Sequence, residues 1–123
     1  MQIKPPYVTF EQAKWFKEIG FNEYCHAYFH TDKSIRTVSD GWLNEICVAP
    51  EQWQVVEWLR VNHGIWIYVI KDGGWWIPFI QDLSNEKEEG VRNIEMTNLP
   101  VCFNSPQEAY SAAFDYIKNS NLI

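Results

Sequence analysis

Two histidines four residues apart, His26 and His30, with Cys25 beside the first, are the residue types in this 123-residue chain that most directly suggest chemistry. On a helix, His-x-x-x-His places both imidazoles on one face, within reach of a single zinc ion. The surrounding EYCHAYFH alternates instead, with Tyr24, His26, Tyr28 and His30 set against Cys25, Ala27 and Phe29. That is strand periodicity with a small apolar face turned inward. Four residues along a strand span about 13 Å, too far for one metal. Cys25 and His26, as strand neighbours, point to opposite faces and form no thiolate and base pair. No HExxH, GxSxG, P-loop or GxGxxG accompanies them. Asp32, Asp40, Glu45 and Asp72 fall in loops or turns, where acids from separate segments could be brought together for hydrolysis; solvation is the ordinary fate of such acids. The expectation is a protein with no catalytic residue, no metal and no required cofactor.

The aromatic residues carry a different kind of chemistry. Seven Trp, six Tyr and seven Phe make up 16% of the chain, and flat rings stack on nucleobases for about 1 to 3 kcal/mol each. In GIWIYVIKDGGWWIPFI, residues 64 to 80, the run Ile65 to Ile70 and the run Trp75 to Ile80 flank a KDGG turn, the signature of a β-hairpin. A two- or four-residue loop puts Ile65, Ile67, Val69, Trp76 and Ile80 on one face and Trp66, Tyr68, Ile70, Trp75, Ile77 and Phe79 on the other. A three-residue loop would exchange the faces of the second strand. The aliphatic face suits packing under helices, which makes Trp76 a core residue. The aromatic face must be covered by helix one and the first hairpin, by a second copy of the chain, or by a ligand. As a ligand platform it would use Trp66, Tyr68, Trp75 and Phe79 as stacking surfaces, with Lys33, Arg36, Arg60 and Lys71 as the cations available to hold phosphates.

The elements that must position these residues are readable in outline. Thr9 and Gln12 start a helix over Phe10 to Ile19, stopped by Gly20. The strand through Tyr24 to His30 turns at TDKS and returns as IRTV, making a first hairpin; SDG at 39 to 41 breaks it, and Trp42 to Val48 holds a further short strand. Pro50 and Glu51 open a second helix, closed by Gly64, whose inner stripe is Val55, Val56, Trp58 and Leu59, with Trp53 and Val61 off it. NEKEEG at 85 to 90 reads as a solvated acidic loop, and Val91 to Met96 and Val101 to Phe103 as two edge strands. Ser105, Pro106 and Glu108 start a third helix whose stripe is Ala109, Ala112, Ala113, Tyr116 and Ile117. The order predicts one α+β domain over 1–123, a mostly antiparallel sheet of two hairpins plus short strands packed with three helices.

Composition bounds the partners. A net charge of −6 opposes binding of long nucleic acid, which needs clustered Lys and Arg. No apolar run approaches the roughly 18 residues of a membrane span. No apolar leader opens the chain, and three scattered cysteines, Cys25, Cys47 and Cys102, fit free thiols in a reducing compartment, so the expected location is the cytoplasm.

FEQAKW, PEQWQVVEWLRVNHGIWIYV and SPQEAYSAAFDYIKNSNLI together resemble a family of small uncharacterised proteins encoded by phages and prophages of gut anaerobes, over residues 9 to 20, 49 to 82 and 103 to 123. The resemblance implies a viral accessory gene and assigns no residue a role. Combined with the aromatic face, it leads to the expectation of a non-enzymatic, homo-oligomeric protein that sequesters a small ligand, a nucleotide immune signal of the host. The rival expectation is an inhibitor that docks a Trp-rich or acidic surface on a host enzyme.

Overall fold

The computed structural model describes residues 6–37, 45–96 and 102–123. The chain is α+β and folds as two compact units, 1–54 and 55–123.

The first unit begins with α1 (Phe10–Glu18). Thr9 accepts a hydrogen bond from the Gln12 amide while the Gln12 side chain accepts from the Thr9 amide, closing the capping box expected of that spacing. The helix ends in a Schellman motif at Gly20, where φ is +106°: the Gly20 amide donates to Lys17 and the Phe21 amide to Phe16. A three-stranded antiparallel sheet follows, in the order β2 (Ile35–Thr37), β1 (Ala27–His30), β3 (Glu45–Val48). The strand expected from Tyr24 begins only at Ala27. Its residues Ala27, Tyr28 and Phe29 are all buried, so Tyr28 does not look outward as alternation alone implied; β1 is the central strand and is covered on both faces. Phe10 meets Phe29 edge-to-face at 5.4 Å. Strand Trp42 to Val48 is seen as β3, its beginning at Trp42 to Asn44 lying outside the described residues, as does the SDG break at 39 to 41.

Helix α2 (Gln52–His63) starts two residues later than Pro50 suggested, because Glu51 is held in an antiparallel bridge with Tyr7 and its amide donates to the Gln54 side chain. Val55, Val56, Trp58 and Leu59 are buried as their stripe predicts, and Trp53 and Val61 are exposed.

In the second unit β4 (Ile65–Asp72), β5 (Trp75–Asp82) and β6 (Arg92–Ile94) form a second antiparallel sheet in sequence order. The turn between β4 and β5 is Gly73–Gly74, with Asp72 opposite Trp75. Gly73 has φ +63° and Gly74 has no positive φ, the pattern of a type II′ turn, whose twist matches that of the paired strands. NEKEEG contains one turn of helix, α3 (Glu86–Glu89), with no buried residue. After it, β6 pairs only with the Ile80–Asp82 end of β5, and Phe103 forms a separate bridge to Trp76; Val101 lies outside the described residues.

Helix α4 (Pro106–Asn119) is capped by Ser105, which accepts from the Glu108 amide, and closes in a second Schellman motif with Asn121 at φ +52°. It lies on β4 and β5. Ala109 and Ala113, fully buried, let the helix approach closely, while Phe114, which the small-residue stripe omitted, and Ile117 fill the space between. Ile65, Ile67 and Ile80 are buried on the sheet side.

Because only Gly73 carries a positive φ and nothing lies within 4 Å of a Cβ at either turn glycine, Gly73→Ala is strained by its backbone alone and Gly74→Ala is not. Urea unfolding is expected to show Gly73→Ala less stable by about 1 kcal/mol and Gly74→Ala by clearly less.

Candidate binding face

The register of β4 on β5 pairs Trp66 with Gln81, Tyr68 with Phe79, Ile70 with Ile77 and Asp72 with Trp75, and so gathers these residues on one face. The other face carries Ile65, Ile67, Val69 and Lys71 opposite Asp82, Ile80, Pro78 and Trp76. Since α4 packs on both strands and the second set contains the buried isoleucines, α4 covers that face and leaves the aromatic one outward. Adjacent Trp75 and Trp76 thus have different fates. Trp75 is 51% exposed; Trp76 is half-buried, held by paired backbone hydrogen bonds with Phe103 at 2.8 and 2.9 Å, with the Lys71 ammonium 5.6 Å from its ring centroid.

The sheet brings together Trp66, Tyr68, Trp75 and Phe79, all four of the expected stacking residues. Tyr68 and Phe79 lie parallel, with ring centroids 5.1 Å apart and 13° between planes. Ile70 and Ile77 continue the stripe towards the turn, and Gln81 donates to Asn93 of β6 at 3.0 Å at its other end. From Trp66 to Trp75 the stripe covers six residue steps, about 20 Å at roughly 3.3 Å each.

Of the four expected cations, Lys71 lies off this face, and Arg60, Lys33 and Arg36 each have a partner of their own. Lys71 belongs to the opposite side, over Trp76. Arg60, on α2, is paired with Glu57 at 2.9 Å. Lys33 and Arg36 belong to the first unit: Lys33 occupies the β1–β2 turn at φ +67°, its ammonium 5.2 Å from the Phe10 ring, and Arg36 reaches Ser34 and Asp32. Among the described residues of the aromatic face there is no Lys or Arg, whereas Asp72 stands at its turn end.

Beside Phe79 the surface opens into a recess of about 510 Å³ lined by Tyr68, Ile77, Pro78, Phe79 and the segment Asn93 to Met96. Its origin lies in the backbone. Trp76 directs both its N–H and its C=O outward to Phe103, so by antiparallel alternation Pro78 also faces outward. Pro78 has no N–H, so no donor is orphaned at this position of the edge. Glu95 and Met96, leaving β6, were not recognisable as part of the site, because nothing in the sequence specified where β6 would leave β5.

A second, polar recess of about 370 Å³ adjoins Asp82, Ser84 and Arg92. Asp82 and Arg92 satisfy one another there: Asp82 accepts from the Ser84 amide and hydroxyl and from Arg92 at 2.8 Å, which holds its carboxyl below the usual range. Among the described residues no group of three or more His, Cys, Asp or Glu is placed to hold a metal, and no helix is long and apolar enough to cross a membrane. Asp40 lies outside the described residues, as does the side chain of Glu45.

Comparison with family models, with curated proteins and with solved structures returned no match.

Two outcomes follow from the titrating groups. Burial, reinforced by Glu51 and Glu23, pushes the Cys25 thiol up to about 11, and Cys47 is buried, while Cys102 is exposed. A disulfide reagent at pH 8 is expected to modify Cys102 rapidly in the folded protein and all three thiols only in denaturant; rapid reaction at Cys25 would contradict the burial. Hydrogen bonds from the Ser34 hydroxyl and amide, helped by His30 and Arg36, lower the Asp32 carboxyl to about 2 from 3.8. Because the folded value is the lower one, its stabilisation is present above about pH 4 and lost as pH falls towards 2. Asp32→Asn is therefore expected to lower stability at pH 6, with the difference from wild type disappearing near pH 2 in parallel denaturation curves.

Proposed function

We propose that this chain is a non-enzymatic binding protein whose aromatic β4–β5 face docks a protein partner. The observation that carries this reading is the stripe from Trp66 to Trp75, in which Ile70, Trp75 and Phe79 are exposed and Trp66, Tyr68 and Ile77 half-buried, with no Lys or Arg among its described residues. Its length of about 20 Å exceeds what a mononucleotide covers, and at roughly 10 Å wide it offers about 200 Å², the size of a hot-spot centre within an interface burying about 800 Å² per partner. Exposed Trp and Tyr supply such centres at low entropic cost because they have few rotatable bonds. With the resemblance to phage-encoded accessory proteins, the partner would be a host enzyme and the outcome its inhibition in the cytoplasm.

A second reading, sequestration of a nucleotide immune signal, is favoured by the recess beside Tyr68 and Phe79, whose volume suits a small molecule. The base would stack there while its phosphates met Asp72 and Glu95 rather than cations. That electrostatic mismatch ranks it second.

The test compares wild type with Trp75→Ser and with Trp66→Ser as immobilised baits in gut-anaerobe lysate, alongside calorimetry with a nucleotide panel. The expected result is one saturably retained protein whose affinity falls at least about tenfold in each variant, with no nucleotide heat. Retention unchanged in both variants would overturn the docking face. Saturable nucleotide binding weakened by Phe79→Ala would replace it with the second reading.

A further inference from the structure

We infer that the recess beside Pro78 receives a lysine or arginine side chain of the docked protein. The inference rests on the docking reading above and names the chemistry of its partner. Three observations converge on it.

The recess is bounded on the sheet side by the parallel rings of Tyr68 and Phe79. The negative face of a ring attracts a cation, and a guanidinium also stacks on it plane to plane. Glu95 also lines the recess, and its carboxylate has no hydrogen bond or ion pair among the described residues. Its backbone, by contrast, is anchored: the Tyr116 hydroxyl of α4 donates to the Glu95 carbonyl at 2.9 Å. Glu95 thus lines the recess from a hydrogen-bonded main chain, and its carboxylate lacks the counter-charge that Asp32, Glu57 and Asp82 have found elsewhere. Finally, no Lys or Arg lines the recess, so the chain provides no cation of its own there among the described residues.

An aromatic pair and a lone carboxylate around an open space discriminate among side chains. An aliphatic side chain would leave Glu95 desolvated without a partner, and an acidic one would be repelled. A cationic side chain satisfies both the rings and the carboxylate, and Met96 on the rim is flexible enough to close around its methylene stem. A partner burying apolar groups on the Trp66 to Trp75 stripe while placing one basic residue beside Phe79 would match the charge of the face at each point. The overall charge of −6 favours the approach of such a partner.

The test uses a capped pentapeptide with one central arginine, and its uncharged citrulline isostere, titrated into ¹⁵N-labelled full-length protein. The arginine peptide is expected to shift the amides of Phe79, Asn93, Glu95 and Met96 saturably, with the citrulline peptide binding at least about fivefold more weakly. Glu95→Gln, an exposed and conservative change, should remove most of that fivefold preference while leaving the citrulline peptide unaffected. Equal binding of the two peptides, shifts confined to other residues, or a preference that survives Glu95→Gln would each overturn the inference. The two readings fail separately. A docked protein lost with Trp75→Ser but retained by Glu95→Gln removes the cationic side chain and keeps the face, whereas peptide binding without any docked protein keeps the recess and removes the proposed function.

Discussion

The conformation of Gly73 underlies the arrangement of the whole second unit. A left-handed residue at the first central position lets the chain reverse in two residues with the twist of paired strands, and a two-residue loop makes each cross-strand pair sum odd. Parity then decides every side chain on the hairpin. Trp75 falls with Trp66, Tyr68 and Phe79; Trp76 falls with Ile65, Ile67 and Ile80. A loop of three residues would have exchanged the tryptophans, burying Trp75 and breaking the aromatic stripe.

Helix α4 turns that parity into a surface. The hydrophobic effect requires one face of a two-sided apolar hairpin to be covered, and α4, with buried Ala109, Ala113, Phe114 and Ile117, covers the aliphatic one. Small residues on the helix and β-branched residues on the strands are shape-matched in a way that bulky indoles would not be. The aromatic face is consequently the one left outward. At its edge Pro78 offers no donor between the Ile80–Ile94 pairing and the Trp76–Phe103 bridge, and the recess lies beside it.

Much of this was legible in the residues and some was not. Local signals read correctly where the physics is local: the Thr9 and Ser105 caps, the Gly20 stop and the hairpin parity all depend on a few neighbouring residues. Misreadings arose where a distant segment decides. Alternation in EYCHAYFH could not reveal that β1 is central and buries Tyr28 as well, nor that Tyr7 would claim Glu51 and delay α2. The two hairpins were expected in one sheet, and they form separate three-stranded sheets, each completed by a strand whose pairing leaves no mark in composition. The four cations are those available in the first hairpin, at the end of helix two and in the turn. Parity alone puts Lys71 with Ile67 and Val69, away from Trp75, while Arg36 and Arg60 are held by nearby acids, and charge patterns within a few residues of each foreshadow that. Glu95 was invisible as a site residue because its meaning comes from where β6 ends.

The aromatic face acts as a binding surface only if Trp75 is open to solvent in the isolated protein. The most direct measurement is acrylamide quenching of tryptophan fluorescence in wild type and Trp75→Phe, with light scattering on the same samples for mass. The account predicts an easily quenched component of the emission that disappears in Trp75→Phe. A dimeric mass with that component shielded would assign the face to self-association, and a monomer with no quenchable component at Trp75 would contradict the exposed face outright.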